Sequence, residues 1–153
     1  MSAIIKASTE HIESILDLRI LLLKELGELA SPEDEETITA ETRDYLQIAL
    51  ANGEFIAYLA ESDGKMTASS GIAIFRRPPY PGNPKGVEAY ILNMYTIPEF
   101  RGLGIGKRLL QECLDECRVR GVKRVWLHAS KEGEPLYRKA GFTGNKGELE
   151  LFL

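Results

Sequence analysis

The feature that most constrains how this chain can fold is the stretch from Val87 to Gly121. It opens with Val87-Glu88-Ala89-Tyr90-Ile91-Leu92-Asn93-Met94-Tyr95-Thr96-Ile97, rich in aromatic and β-branched residues, which reads as a strand. Pro98 ends it, because proline cannot donate to a ladder. Arg101-Gly102-Leu103-Gly104-Ile105-Gly106-Lys107 follows. After it Leu109, Leu110, Cys113, Leu114 and Cys117 fall at helical spacing, with Gly121 as the stop. A strand that passes through a glycine-rich turn into an amphipathic helix calls for a sheet with helices packed on it.

Such a turn is suited to an anion. The first N–H groups of a helix have no internal partner, and the aligned peptide dipoles favour negative charge there. Gly102, Gly104 and Gly106 let a phosphate approach the main chain, and Arg101 and Lys107 add positive charge at the same end. Glycine early in a helix costs roughly 0.8–1 kcal/mol relative to alanine, so a helix that only had to pack would do better without it. Neither standard nucleotide loop fits. A Walker loop needs a hydroxyl residue after Gly-Lys, and here Arg108 follows Gly106-Lys107; a dinucleotide fingerprint needs Gly-x-Gly-x-x-Gly, and here the glycines alternate.

The run Arg101-Gly102-Leu103-Gly104-Ile105-Gly106 closely resembles the Arg/Gln-x-x-Gly-x-Gly/Ala motif of the GNAT superfamily of acyl-CoA-dependent N-acyltransferases. Tyr90 to Thr96 resembles that family's central strand, and Pro98-Glu99-Phe100-Arg101-Gly102 its lead-in. Glu134-Pro135-Leu136-Tyr137-Arg138-Lys139-Ala140-Gly141-Phe142 resembles its later helix with a Gly-Phe end. The resemblance runs from Glu88 to Phe142. It implies a single N-acetyltransferase domain over residues 1–153, an α/β fold with a central mixed β-sheet flanked by helices, and acetyl-CoA as acyl donor.

Taken in order, Ala3 to Lys6 is a short strand. Ser8 or Thr9 caps a helix carrying Ile12, Ile15, Leu16, Leu22, Leu23 and Leu26, which runs to Gly27 or Ala30. Ser31 to Glu36 reads as an acidic loop, and a second helix runs from Ile38 or Thr39 to Leu50, ended by Asn52-Gly53. Phe55 to Ala60 and Met66 to Phe75 form a hairpin about Asp63-Gly64, with Gly71 marking a bulge or a close approach. Arg77 to Gly86 is too proline-rich for regular structure and is either a passive connector or a wall of the acceptor site. Beyond the central helix lie a strand Arg124 to His128, a helix Glu134 to Ala140 and a final strand Glu148 to Leu153.

Acyl transfer from a thioester to an amine requires the cofactor to be held, the carbonyl polarised, the amine neutral and the leaving thiolate protonated. The resemblance assigns the pyrophosphate to Arg101, Gly102, Leu103, Gly104, Ile105, Gly106 and Lys107. It assigns the pantetheine arm and thioester oxygen to the backbone of Met94, Tyr95 and Thr96. Tyr137 is the expected general acid, since a phenol is protonated at neutral pH and a leaving thiolate would accept its proton. Ser130 is an expected pantetheine contact. Glu88 is a candidate base acting through water, or else an ordinary carboxylate. His128, titratable near neutrality, is either a base or a structural histidine. No nucleophile–histidine–acid set is evident, so the amine attacks directly.

Composition narrows the partners. A net charge of −4 and a pI of about 5.3 argue against nucleic acid. No run of about 18 apolar residues exists, and the first residues are not a signal peptide, so no membrane role and a cytoplasmic location are expected. No metal spacing is found, and Cys113 and Cys117 read as small buried hydrophobes. The acceptor is a small-molecule amine or a peptide or protein amine, with Arg19, Glu25 and Tyr95 as candidate contacts. A homodimer is plausible through the apolar end Leu149-Glu150-Leu151-Phe152-Leu153.

Overall fold

The computed structural model describes residues 2–144 and 147–153. Its elements are β1 (Ala3–Lys6), α1 (Ile12–Glu25), α2 (Pro32–Asn52), β2 (Phe55–Ser62), β3 (Lys65–Arg76), β4 (Val87–Thr96), α3 (Ile105–Val119), β5 (Arg124–Trp126) and α4 (Glu134–Lys139). Short 3₁₀ turns at Thr9–His11 and Pro98–Phe100 lead into α1 and the glycine-rich turn. The five strands form one mixed sheet in the order β1-β2-β3-β4-β5. The first three junctions are antiparallel and β4–β5 is parallel. That parallel step needs a crossover, and α3 supplies it.

Each sheet face has its own apolar layer. α3 and α4 cover one face, where Ile105, Leu109, Leu110, Cys113, Cys117 and Tyr137 meet Ile56, Tyr58, Ile72 and Ile91. α1 and α2 cover the other, where Ile12, Ile15, Leu18 and Leu46 meet Phe55, Ala57, Leu59 and Tyr95. β2 is buried throughout Phe55 to Ala60 because successive residues point into opposite layers. α1 packs against both the sheet and α2, while its Leu21 stays exposed. Gly71 sits in a register shift of β3 against β4, and a Cβ there would lie 2.5 Å from the buried Phe55 ring. Both readings of that glycine hold together.

Three expectations are corrected. α2 starts at Pro32, so Ser31 to Glu36 is not a loop: Ser31 accepts from the Asp34 N–H at 3.1 Å, Pro32 fills the first turn, and three acids line the positive end. β5 ends at Trp126 rather than His128. Glu148 to Leu153 forms no strand; Leu149, Leu151, Phe152 and Leu153 are exposed and unpaired with the sheet.

Candidate active site

The site begins where the sheet divides. β5 pairs with β4 at only three positions, Glu88↔Arg124, Ala89↔Val125 and Tyr90↔Trp126. β4 continues to Thr96, so its edge from Ile91 onward has no strand partner on that side among the described residues. Within this free stretch Asn93 is buried with φ +57, and the β3 register slips beside it. Asparagine tolerates the left-handed region better than other non-glycine residues. Its carbonyl accepts from Ser69 Oγ at 2.8 Å, which holds the bulge in place.

β4 leads through Pro98–Phe100 into the glycine-rich turn at the start of α3. Gly104 is the N-cap with φ +81, and it provides no side chain to occupy the first-turn N–H groups of Ile105, Gly106 and Lys107. A side chain at Gly104 would be strained by that φ, and the space a Cβ would enter is empty at both Gly102 and Gly104. Ile105 anchors the turn into the core, whereas Leu103 and Lys107 are exposed. The turn leaves main-chain donors open at a helix N-terminus, an arrangement suited to an anion.

Arg101 has a different posture. Its Nε donates to the Thr96 carbonyl at 2.8 Å, its Nη2 holds both Glu25 oxygens at 2.9 and 3.0 Å, and its guanidinium lies over the Tyr95 ring. It therefore ties the end of α1 to the end of β4. This occupies Glu25, buries Tyr95 beneath it and takes up one polar group of Thr96.

α4 packs beside the turn: a Cβ on Gly106 would meet Leu136 at 3.6 Å. Ser130 accepts from the Gly133 N–H at 3.1 Å and so caps the entry to α4, close to Tyr137. Tyr137 is buried in the α3-side layer, with its ring 5.9 Å from Phe142. Burial pushes its phenol up to about 12, with Cys113 adding a smaller push. The hydroxyl is a firm donor at neutral pH. A phenol kept protonated in this way is available as a donor to a thiolate beside it.

Glu88 is fully engaged. It is 1 % exposed and receives Tyr80 Oη at 2.6 Å, Arg77 Nη1 at 3.0 Å and Arg124 Nη1 at 3.0 Å. Burial alone would raise its carboxyl, but hydrogen bonds from Tyr80 and Arg124 and the charges of Arg124 and Arg77 bring it below the usual range. A carboxylate so solvated by donors is a poor proton acceptor. It also pins the proline-rich loop, whose Asn83 donates to the Val87 carbonyl at 3.0 Å.

Across the division of the sheet, Tyr90 Oη lies 2.6 Å from Nδ1 of the exposed His128, and Trp126 packs edge-on to both rings. Sequence reasoning passed over Tyr90, Asn93 and Trp126; a lone asparagine among β-branched residues was the available signal for the bulge. A groove of about 770 Å³ runs along the outer edge of β5, lined by Val125, Trp126, His128, Tyr137 and Glu148 among others, and it does not include the glycine-rich turn. No group of three potential metal ligands is found among the described residues, and no helix there is long and apolar enough to cross a membrane.

Comparison with known proteins bears on this arrangement. The family profile described as Acetyltransferase (GNAT) family matches residues 20–142. A crystal structure of a predicted acetyltransferase with acetyl-CoA from Clostridium acetobutylicum superposes with a TM-score of 0.91 at 33% identity, covering 99% of this chain and 96% of that one. A GCN5-related N-acetyltransferase from Ralstonia eutropha JMP134 gives 0.88 at 26% identity, covering 99% of both. In sequence, the glucosamine 6-phosphate N-acetyltransferase of Trypanosoma brucei brucei is 28% identical over 90 residues, which span 59% of each protein.

Proposed function

The chain belongs to the acetyltransferase (GNAT) family, and on that premise we propose that it transfers an acetyl group from acetyl-CoA to a primary amine by direct attack. The observation that carries the reading is the meeting of two features: the β4 edge left free beyond Tyr90, and the open N-terminus of α3 that follows it. The relative from Clostridium acetobutylicum was solved with acetyl-CoA, which supports the same donor here.

In this reading the N–H groups of Ile105, Gly106 and Lys107 hold the pyrophosphate, while Gly102, Leu103 and Gly104 shape the turn around it. The Lys107 ammonium adds charge. Arg101 braces the turn through Glu25 and Thr96. The main chain of Met94 and Tyr95, with Thr96 at its end, aligns the pantetheine arm and donates to the thioester oxygen. Acetyl-CoA supplies the activated acyl group; Ser130 positions the segment beside it. Tyr137 acts as the general acid, giving its proton to the sulfur as the thiolate leaves and recovering one from solvent. Glu88 we read as a structural pin, which leaves the proton of the amine to solvent.

The test is release of free coenzyme thiol from acetyl-CoA against a panel of amines, amino acids, aminoglycosides, polyamines and short peptides. Thiol release with an amine, and acetylated product by mass spectrometry, is the expected result. Tight acetyl-CoA binding with no thiol released by any amine would instead favour a non-catalytic coenzyme-binding domain.

A further inference from the structure

On the α1/α2 face, beside the last β4–β5 pair, a cluster of side chains has no part in holding the coenzyme. Arg19 of α1 donates through Nη1 to the Asn93 side-chain oxygen at 2.5 Å. Arg77, Arg101 and Arg124 each meet a carboxylate. Arg19 is partly buried, yet among the described residues no carboxylate forms an ion pair with it. Burial holds its guanidinium below the ordinary value, against the opposing pull of Glu28, Tyr45 and Tyr90.

A guanidinium has five N–H donors in a planar fork suited to carboxylate and phosphate. A single neutral amide oxygen satisfies one of them. Withdrawing a cation from water without a paired anion is costly. Next to this fork stand the rings of Tyr90 and Trp126, 4.7 Å apart. Tyr90 in turn bonds the exposed His128 through its hydroxyl at 2.6 Å.

We propose that Arg19 binds an anionic group, carboxylate or phosphate, carried by the acceptor amine. The acceptor class is then an amino-carboxylate or an amine-phosphate rather than a plain amine or polyamine. The carbon skeleton lies on Tyr90 and Trp126, and the amine end points toward the β4 edge that has no strand partner from Ile91 onward among the described residues. Tyr90 and Asn93, which anchor the cluster, bracket the point at which β4 loses β5, where the amine must arrive. This assignment of the acceptor rests on the acetyl-transfer reading.

The experiment is calorimetry on protein saturated with coenzyme A, using matched pairs: alanine and phenylalanine against their carboxamides, and glucosamine 6-phosphate against glucosamine. The anionic member of at least one pair should bind about tenfold or more tightly, and the pair that discriminates tells carboxylate from phosphate. Arg19→Gln should abolish that advantage, and Arg19→Lys should keep part of it, with thermal melts confirming that both variants fold. Equal binding within every pair, no binding by any anionic member, or a preference surviving in Arg19→Gln would overturn the proposal. So would an equal loss for charged and uncharged members, which would make Arg19 only a brace for Asn93. Thiol release measured in parallel separates the two readings: a charge preference lost in Arg19→Gln without acyl transfer would keep Arg19 as an anion site and remove the enzymatic role.

Discussion

At the scale of single residues, two of the ionisable groups that the sequence singles out, Tyr137 and Glu88, are separated by what surrounds them. Tyr137 is buried without a charged partner, so its phenol stays protonated; Glu88 is buried among three donors, so its carboxylate stays ionised. Tyr137→Phe should lower kcat by about 10²-fold while leaving the affinity for acetyl-CoA nearly unchanged, as steady-state kinetics and calorimetry would show. Because the phenol lies at about 12, no alkaline loss of rate below roughly pH 11 should trace to it. Glu88→Gln should leave the chemistry running but destabilise the fold by about 1–3 kcal/mol, at the low end for a broken buried ion pair since both arginines keep contact with solvent. The folded pKa of Glu88 is lowered, so its stabilisation is complete above the unfolded value near 4.5 and fades as pH falls through the folded one. Urea titrations should therefore find wild type and Glu88→Gln converging only on the acid side of that value.

At the scale of elements, the glycine-rich turn and the helix behind it have distinct tolerances. Gly104→Val forces a β-branched residue into φ +81 and fills the space above the turn. Acetyl-CoA affinity should fall by at least about tenfold by calorimetry, in line with strain of roughly 1–3 kcal/mol at such a position. Leu109→Ala, buried where α3 meets the sheet, should cost about 2–5 kcal/mol in denaturant titrations without altering the turn. The elements legible in the sequence were those whose signal is local: the alternation and apolar runs of β1 to β4, the Asp63-Gly64 hairpin, and the face of α3. The first turns of α2 were misread because proline and acids mark a loop and a helix start alike; the Ser31 cap decides between them only in three dimensions. The glycine-rich turn and the helix start behind it were legible because they are contiguous. The Arg19–Asn93 pair, 74 residues apart, and the three donors on Glu88 were not, since nothing local in either segment announces its partner.

At the scale of the whole molecule, the C-terminal segment is the unfinished part. Leu149, Leu151 and Phe152 are exposed, and β5 is an edge strand among the described residues, features that invite pairing with another chain. If this segment joins two copies, sedimentation should show a dimer that Leu151→Asp dissociates; a monomer at all concentrations would assign the segment no such part. The division of the sheet has a further consequence. β2–β3 and β3–β4 are each joined through eight residue pairs, whereas β5 is paired to β4 at three positions and α4, among the described residues, is held by side-chain packing alone. Amide exchange should therefore be slowest through the β2–β4 meander, with β5 and α4 opening first as a unit.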